Sequence, residues 1–400
     1  RTVVAPVLGM LRAGRYTVTW RMAGADGHPT HGHFAFSILP GARGLAAPPA
    51  PAATLAPPPD SAHPGEAAGG VPAPGRDSVR AVHLGPAADD TTFGAESPAY
   101  VALRWAQFLA LLAVIGAAAF ALLVLGPLER SGRSVLPALS SARGGAARLG
   151  FAAAVVLVPV ALLRLYAQSY AVHGAAGALS GARIGGMLAG TTWGWGWLLQ
   201  AGATLLALAG FGAARRVRGA GWTVAALAVG LLALTPALSG HAAAAPRFAG
   251  LAVTADAAHV LGAGGWLGSL LLLVAVGIPA ALRLEAGERG RAVAELVGAF
   301  SPAALACAGT AAITGVLASW LHLERFADLW QTGYGRTLLL KLAVLAVAAG
   351  IGAYHWLRVR PALGDEAAAG RMRRSSVVEL VVGAAALLVT AVLVATSPPG

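Results

Sequence analysis

Thiols, thioethers and charges are all scarce in this chain. One cysteine, Cys307, excludes an intramolecular disulfide framework. With only four methionines beside it, there is little thiolate or thioether for a soft metal centre. Charged residues make up 12% of the sequence, against roughly 25% in soluble domains, so an ordinary water-facing surface is excluded. Lysine occurs once, as Lys341. There is no GKS/T phosphate loop, and every arginine-rich loop is too short to house nucleotide hydrolysis. A primary ATP-driven pump is excluded on those grounds.

What is present is apolar. Hydrophobic residues reach 57% and the mean hydropathy is +0.68. Eight apolar runs, about 100–128, 146–172, 192–214, 220–239, 251–282, 292–321, 336–358 and 374–396, approach or exceed the ~20 residues that cross a bilayer as a helix. The chain therefore reads as an all-α polytopic membrane protein with about eight transmembrane helices. Arginine sets the orientation, because positive loops resist translocation. The loops after runs one, three, five and seven carry fifteen arginines, among them Arg143, Arg215, Arg291 and Arg374; the alternate loops carry four, Arg183, Arg247, Arg325 and Arg336. Runs of this pattern place the odd loops in the cytoplasm and both termini outside a plasma (inner) membrane. The net charge of +12 is mostly this bias and calls for no nucleic-acid partner; the lipid bilayer is the partner it implies.

Two segments precede the first run. Residues 1–39 hold YTVTWRMAGADGHPTHGHFAFSIL, two β-rich runs around a turn-like ADGHPTHG. Residues 40–98 are rich in Pro and Ala, as in PPAPAATLAPPP, and read as an extended extracytoplasmic linker. A two-strand hairpin alone is marginal in water. With no initiator Met or signal peptide in the sequence, residues 1–39 are expected to be the C-terminal fragment of a larger β domain, followed by a membrane domain over 99–397.

Polar residues inside the runs are few, and such residues tend to be functional because a charge in the bilayer is costly. In TADAAHVLGAGGWLG, Asp256 and His259 are three apart and share one helix face. His241 ends run four, Lys341 lies about two turns into run seven, Arg164 lies in the outer half of run two and His322 ends run six. These six groups share the outer leaflet. Toward the inner face, Glu379 starts run eight and His355 ends run seven. Asp256 is equally readable as an ion-pair partner of Lys341 or Arg164, and His322 and His355 as ordinary interfacial histidines. Gly264 and Gly268, four apart, read as a close helix contact.

Several of these stretches resemble known families. GRYTVTWRMAGADGHPTHGHFAFSI is similar to the end of the CopC copper-binding β-sandwich, with Gly24 where that family has Ser. SGHA at 239–242, TADAAHVLGAGGWLG, TGYGRTLLLKL at 332–342 and RRSSVVEL at 373–380 resemble the CopD copper-resistance membrane proteins. The resemblance implies a CopC/CopD fusion that handles copper and is not an enzyme. It implies a Cu(II) site that includes Asp26 and His28, completed by a region that this sequence lacks. In the membrane it implies copper taken up from outside through His241, Asp256 and His259, with Lys341 and Arg164 balancing charge. Glu379 and His355 would form the release end, His322 would be a further group along the pathway, and an extracytoplasmic copper chaperone or cuproenzyme would be a partner. The supply of ten histidines and few sulfur ligands suits imidazole and carboxylate coordination. A second function class stays open: histidines on facing helices also ligate haem, as in a membrane electron-transfer protein or a copper reductase.

Overall fold

The computed structural model describes residues 11–23, 29–40, 97–132, 136–216, 218–239, 249–323, 325–355, 357 and 366–396. Asp26, His28, His241 and nearly all of the expected linker lie outside the described residues, as does the side chain of His322.

At the N-terminal end, β1 (Gly14–Ala23) and β2 (Pro29–Ile38) pair as a two-stranded antiparallel sheet. Alternation puts Tyr16 and Phe36 on one face, where their rings stack with centroids 5.5 Å apart. Gly32 sits beneath the Trp20 indole, where an added Cβ would meet the ring.

Eight helices are long and apolar enough to cross a membrane. They are α1 (Pro98–Arg130), α2 (Leu136–His173), α3 (Thr192–Ala214), α4 (Arg218–Leu238), α5 (Ala249–Ala281), α6 (Ala286–His322), α7 (Gly333–Tyr354) and α8 (Glu366–Leu393). A short helix, Gly181–Gly190, precedes α3, and another, Asp328–Gln331, precedes α7. Helices satisfy their backbone polar groups internally, which a hydrocarbon environment requires. Hydroxyl caps start three of them on one face of the bundle. Ser97 accepts from Tyr100 N–H at 3.2 Å, Thr191 from Gly194 N–H at 3.0 Å and Thr332 from Gly335 N–H at 3.0 Å.

The eight expected runs correspond one to one with these helices, but three helices begin well before their runs, α6 among them at Ala286 rather than 292. α2 starts at Leu136 rather than 146, and α8 at Glu366 rather than 374. The added turns bring charged residues into the helix, such as Arg143 in α2 and Arg371 in α8, which lower the hydropathy there.

α1 and α5 form the centre: the apolar windows of both are 67% buried, whereas that of α7 is 11% buried. α7 packs chiefly on α8, α8 on α1, and α5 on α1, α4 and α6. The α1–α5 crossing is a near backbone contact. A Cβ on Gly268 would strike the Leu112 carbonyl and the Gly116 backbone, and one on Gly116 would strike Gly268. At that crossing α5 has a widened π turn, Gly264–Gly268, and α1 has another just beyond, Phe120–Leu125. Arg143 of α2 attends the second. Its Nη2 donates to the Ala121 carbonyl at 3.1 Å, while Nε and Nη2 grip Glu129 at 2.9 and 2.8 Å. Phe120, Leu125, Phe211, Leu232, Leu270 and Leu273 fill the core around these contacts.

Candidate functional site

Small residues position His259. Gly262 lets α5 approach α6 until an added Cβ would lie 2.7 Å from the Cys307 carbonyl oxygen and 2.8 Å from Ala311 N. Gly315 leaves room for the imidazole, since a Cβ there would sit 3.2 Å from Cε1 of the ring. This approach brings His259 Nδ1 to 2.9 Å from the Ala311 carbonyl oxygen. A carbonyl only accepts, so Nδ1 carries the proton and donates it. In the neutral ring the lone pair is then on Nε2, and among the described residues no hydrogen bond is made to that nitrogen. This is the orientation in which a histidine presents Nε2 to a metal, with a second group fixing the tautomer.

Asp256 lies one turn before His259 on the same helix. Lys341 of α7 is within electrostatic reach of both Asp256 and His259. Asp256 follows the start of α5 by about 10 Å, His259 by about 15 Å, and Lys341 follows the start of α7 by about 12 Å, at 1.5 Å per residue. Successive crossings alternate in direction, so α5 and α7 start on the same face, and the acid, the imidazole and the ammonium occupy one layer. Among the described residues, no three His, Cys, Asp or Glu side chains gather closely enough to hold one ion. The described residues supply a histidine and an acid; the third expected ligand, His241, lies outside them.

Arg164 is placed elsewhere. Its Nη1 donates to Gln200 Oε1 at 2.8 Å, and its guanidinium lies over the Trp193 ring, 5.9 Å from the centroid. Lys341 is within electrostatic reach of Asp256. Arg164, expected to balance charge beside Lys341, has its guanidinium engaged by Gln200 and Trp193.

At the opposite end, His355 and Glu379 form a buried pair between α7 and α8. Nδ1 lies 3.1 Å from Glu379 Oε2, with the side chains 8% and 4% exposed. Nε2 is 2.6 Å from the Ser375 hydroxyl, which also donates to the Met372 carbonyl at 3.1 Å. His355 is thus more than an interfacial histidine: both ring nitrogens are engaged. Burying a carboxylate is tolerated when it is paired and hydrogen-bonded.

Sequence reasoning missed Gln107, Gln200, Ser375, Thr314 and Gly315. The glutamines had a signal: each interrupts an apolar run eight or nine residues from a helix start, and both are buried, 2% and 0% exposed.

Fold and site together define a multi-pass helical membrane protein with isolated buried polar groups, some of them of metal-binding type. Residues 94–251 match the Copper resistance protein D-like N-terminal domain, 294–393 match Copper resistance protein D, and 1–39 match the CopC domain. The chain belongs to the copper resistance families as a CopC/CopD fusion, and its role concerns copper. Among curated proteins, it is similar to Protein YobA of Escherichia coli (strain K12) and of Shigella flexneri. Each is 40% identical over 38 residues, 10% of this chain and 31% of the relative. The chain thus spans about a third of the length of the curated relatives it matches. No solved structure matches it.

Proposed function

We propose that the protein carries copper ions inward across the plasma (inner) membrane, receiving them from its CopC-like segment on the outside. The observation that carries this reading is the orientation of His259. Its Nδ1–H is tied to the Ala311 carbonyl, leaving the Nε2 lone pair for a ligand, with Asp256 one turn away. Copper is the cargo, taken up by His259 and Asp256 with His241 as third ligand. Lys341 balances Asp256 when no ion is bound. Imidazole and carboxylate together suit a divalent ion, and the CopC match over 1–39 supports Cu(II) held by Asp26 and His28. The His355–Glu379 pair serves the release end. The fifteen-to-four arginine asymmetry supports extracytoplasmic termini, and a periplasmic-type copper carrier or a cuproenzyme fits as a partner on that side.

The test is radioactive copper uptake by cells expressing the protein. His259→Ala is expected to reduce uptake to the level of cells lacking the gene, with protein abundance unchanged. Uptake at the parental rate would overturn the assignment of His259. An optical spectrum with a Soret band in the purified protein would replace copper transport with the haem-based electron-transfer reading.

A further inference from the structure

A second polar layer lies in α1, α2 and α3. Gln107 is nine residues after Pro98, Gln200 eight after Thr192, and Arg164 nine before His173, so all three lie about 12–14 Å inside the same face at 1.5 Å per residue. Arg164 is 7% exposed and Gln200 is 0% exposed. Arg164 Nη1 and Gln107 Nε2 both donate to Gln200 Oε1, at 2.8 and 3.1 Å. Because Arg164 can only donate, the Gln200 amide cannot be reversed: its oxygen faces the guanidinium and its nitrogen takes the other position. That nitrogen, Nε2, is buried and has no hydrogen-bond partner among the described residues.

The charge in this layer is one-sided as well. Arg104, one turn before Gln107 on α1, is within electrostatic reach of Arg164. It donates to the Ala391 carbonyl at 3.2 Å and lies over the Tyr100 ring at 4.9 Å. Among the described residues, neither arginine forms an ion pair with a carboxylate. A guanidinium inside the membrane without a counter-charge is costly, as is a buried N–H without an acceptor. The unspent group on Gln200 is a donor, and the two arginines make the charge of the cluster positive.

We propose that Arg164, Arg104 and Gln200 Nε2 hold a small monovalent anion of the chloride class within α1–α3. A halide fits better than an oxyanion. The Nη1 edge of Arg164 is already committed to Gln200, so the two-pronged grip that favours carboxylate and phosphate is not fully open. A spherical ion accepts from divergent donors without it. The site uses none of the proposed copper ligands, so its test runs without metal, and its failure leaves the copper reading untouched.

The experiment is thermal unfolding of the full-length protein in detergent, in sodium chloride, bromide or gluconate at fixed sodium concentration. A ligand that binds only the folded state raises the midpoint with the logarithm of its concentration once that exceeds its dissociation constant. The expected result is a rise with the logarithm of chloride and of bromide concentration and none with gluconate. Gln200→Glu places a fixed carboxylate beside Arg164. It is expected to raise the midpoint in gluconate and to abolish the chloride response. Equal midpoints of the parent protein in chloride and gluconate overturn the proposal, as does a Gln200→Glu protein that keeps the full chloride response. A rise with inorganic phosphate at lower concentration than with chloride, or a response that appears only after co-purified phospholipid is removed, overturns the halide assignment.

Discussion

Lys341 is the only lysine in a chain whose every other basic side chain is arginine. Lysine gives up its proton far more readily than arginine when desolvated, so it suits a group that must yield when a cation arrives. If Lys341 balances Asp256 in the ion-free protein, Lys341→Met removes the charge and roughly keeps the stem. A charge left uncompensated inside the membrane is costly, so copper uptake is expected to fail and protein abundance to drop. Adding Asp256→Asn is expected to restore abundance without restoring transport. A lysine that only anchors α7 by reaching toward the headgroups predicts near-normal uptake by Lys341→Met, and that result would sink the switch. The facing of Asp256 and His259 was legible in their i, i+3 spacing. The partner that fixes the histidine was not, because Ala311 is fifty-two residues away and contributes only a carbonyl. Gln107 and Gln200 carry no charge to mark them, and the value of His355 depended on a pairing with Glu379 that no local pattern encodes.

Between elements, the α1–α5 crossing is the tightest constraint. Gly264 and Gly268, four apart, signal a close approach in the sequence, and Gly116 on α1 is the partner they did not identify. In lipid, where burying apolar surface drives little association, such backbone proximity is what holds two helices together. Gly268→Leu drives a side chain into the Leu112 carbonyl and the Gly116 backbone. Overpacking of this kind costs about 1–3 kcal/mol, and more where backbone must move. The expected outcome is a lowered unfolding midpoint and loss of monodisperse protein on size exclusion. Gly250→Leu, on the same helix with nothing within 4 Å of its added Cβ, is expected to behave as the parent; equal damage from both substitutions would show that the crossing is not special. Span number and order were legible because lipid demands long uninterrupted apolar runs. The starts of α2, α6 and α8 were not, because hydropathy falls at the interface while the helix continues through it with its arginines.

For the whole molecule, the copper reading depends on which face is outside. The caps at Ser97, Thr191 and Thr332 lie on one face, and Asp256, His259 and Lys341 lie in a layer about two turns beneath it. The arginine clusters lie on the other. Import requires the capped face to be extracytoplasmic. Two exposed positions separate the alternatives: Ser140, in the first turns of α2 on the arginine-rich face, and Ala182, in the short helix after α2 on the capped face. In a Cys307→Ala background, Ala182→Cys is expected to react with a membrane-impermeant maleimide on intact spheroplasts. Ser140→Cys is expected to react only after permeabilisation. The reverse pattern would place the His259 layer next to the cytoplasm and the His355–Glu379 pair next to the outside. The same two polar layers would then describe a route outward, with His259 as the acceptor of cytoplasmic copper, and the proposed direction of transport would be wrong while its ligands could still be right.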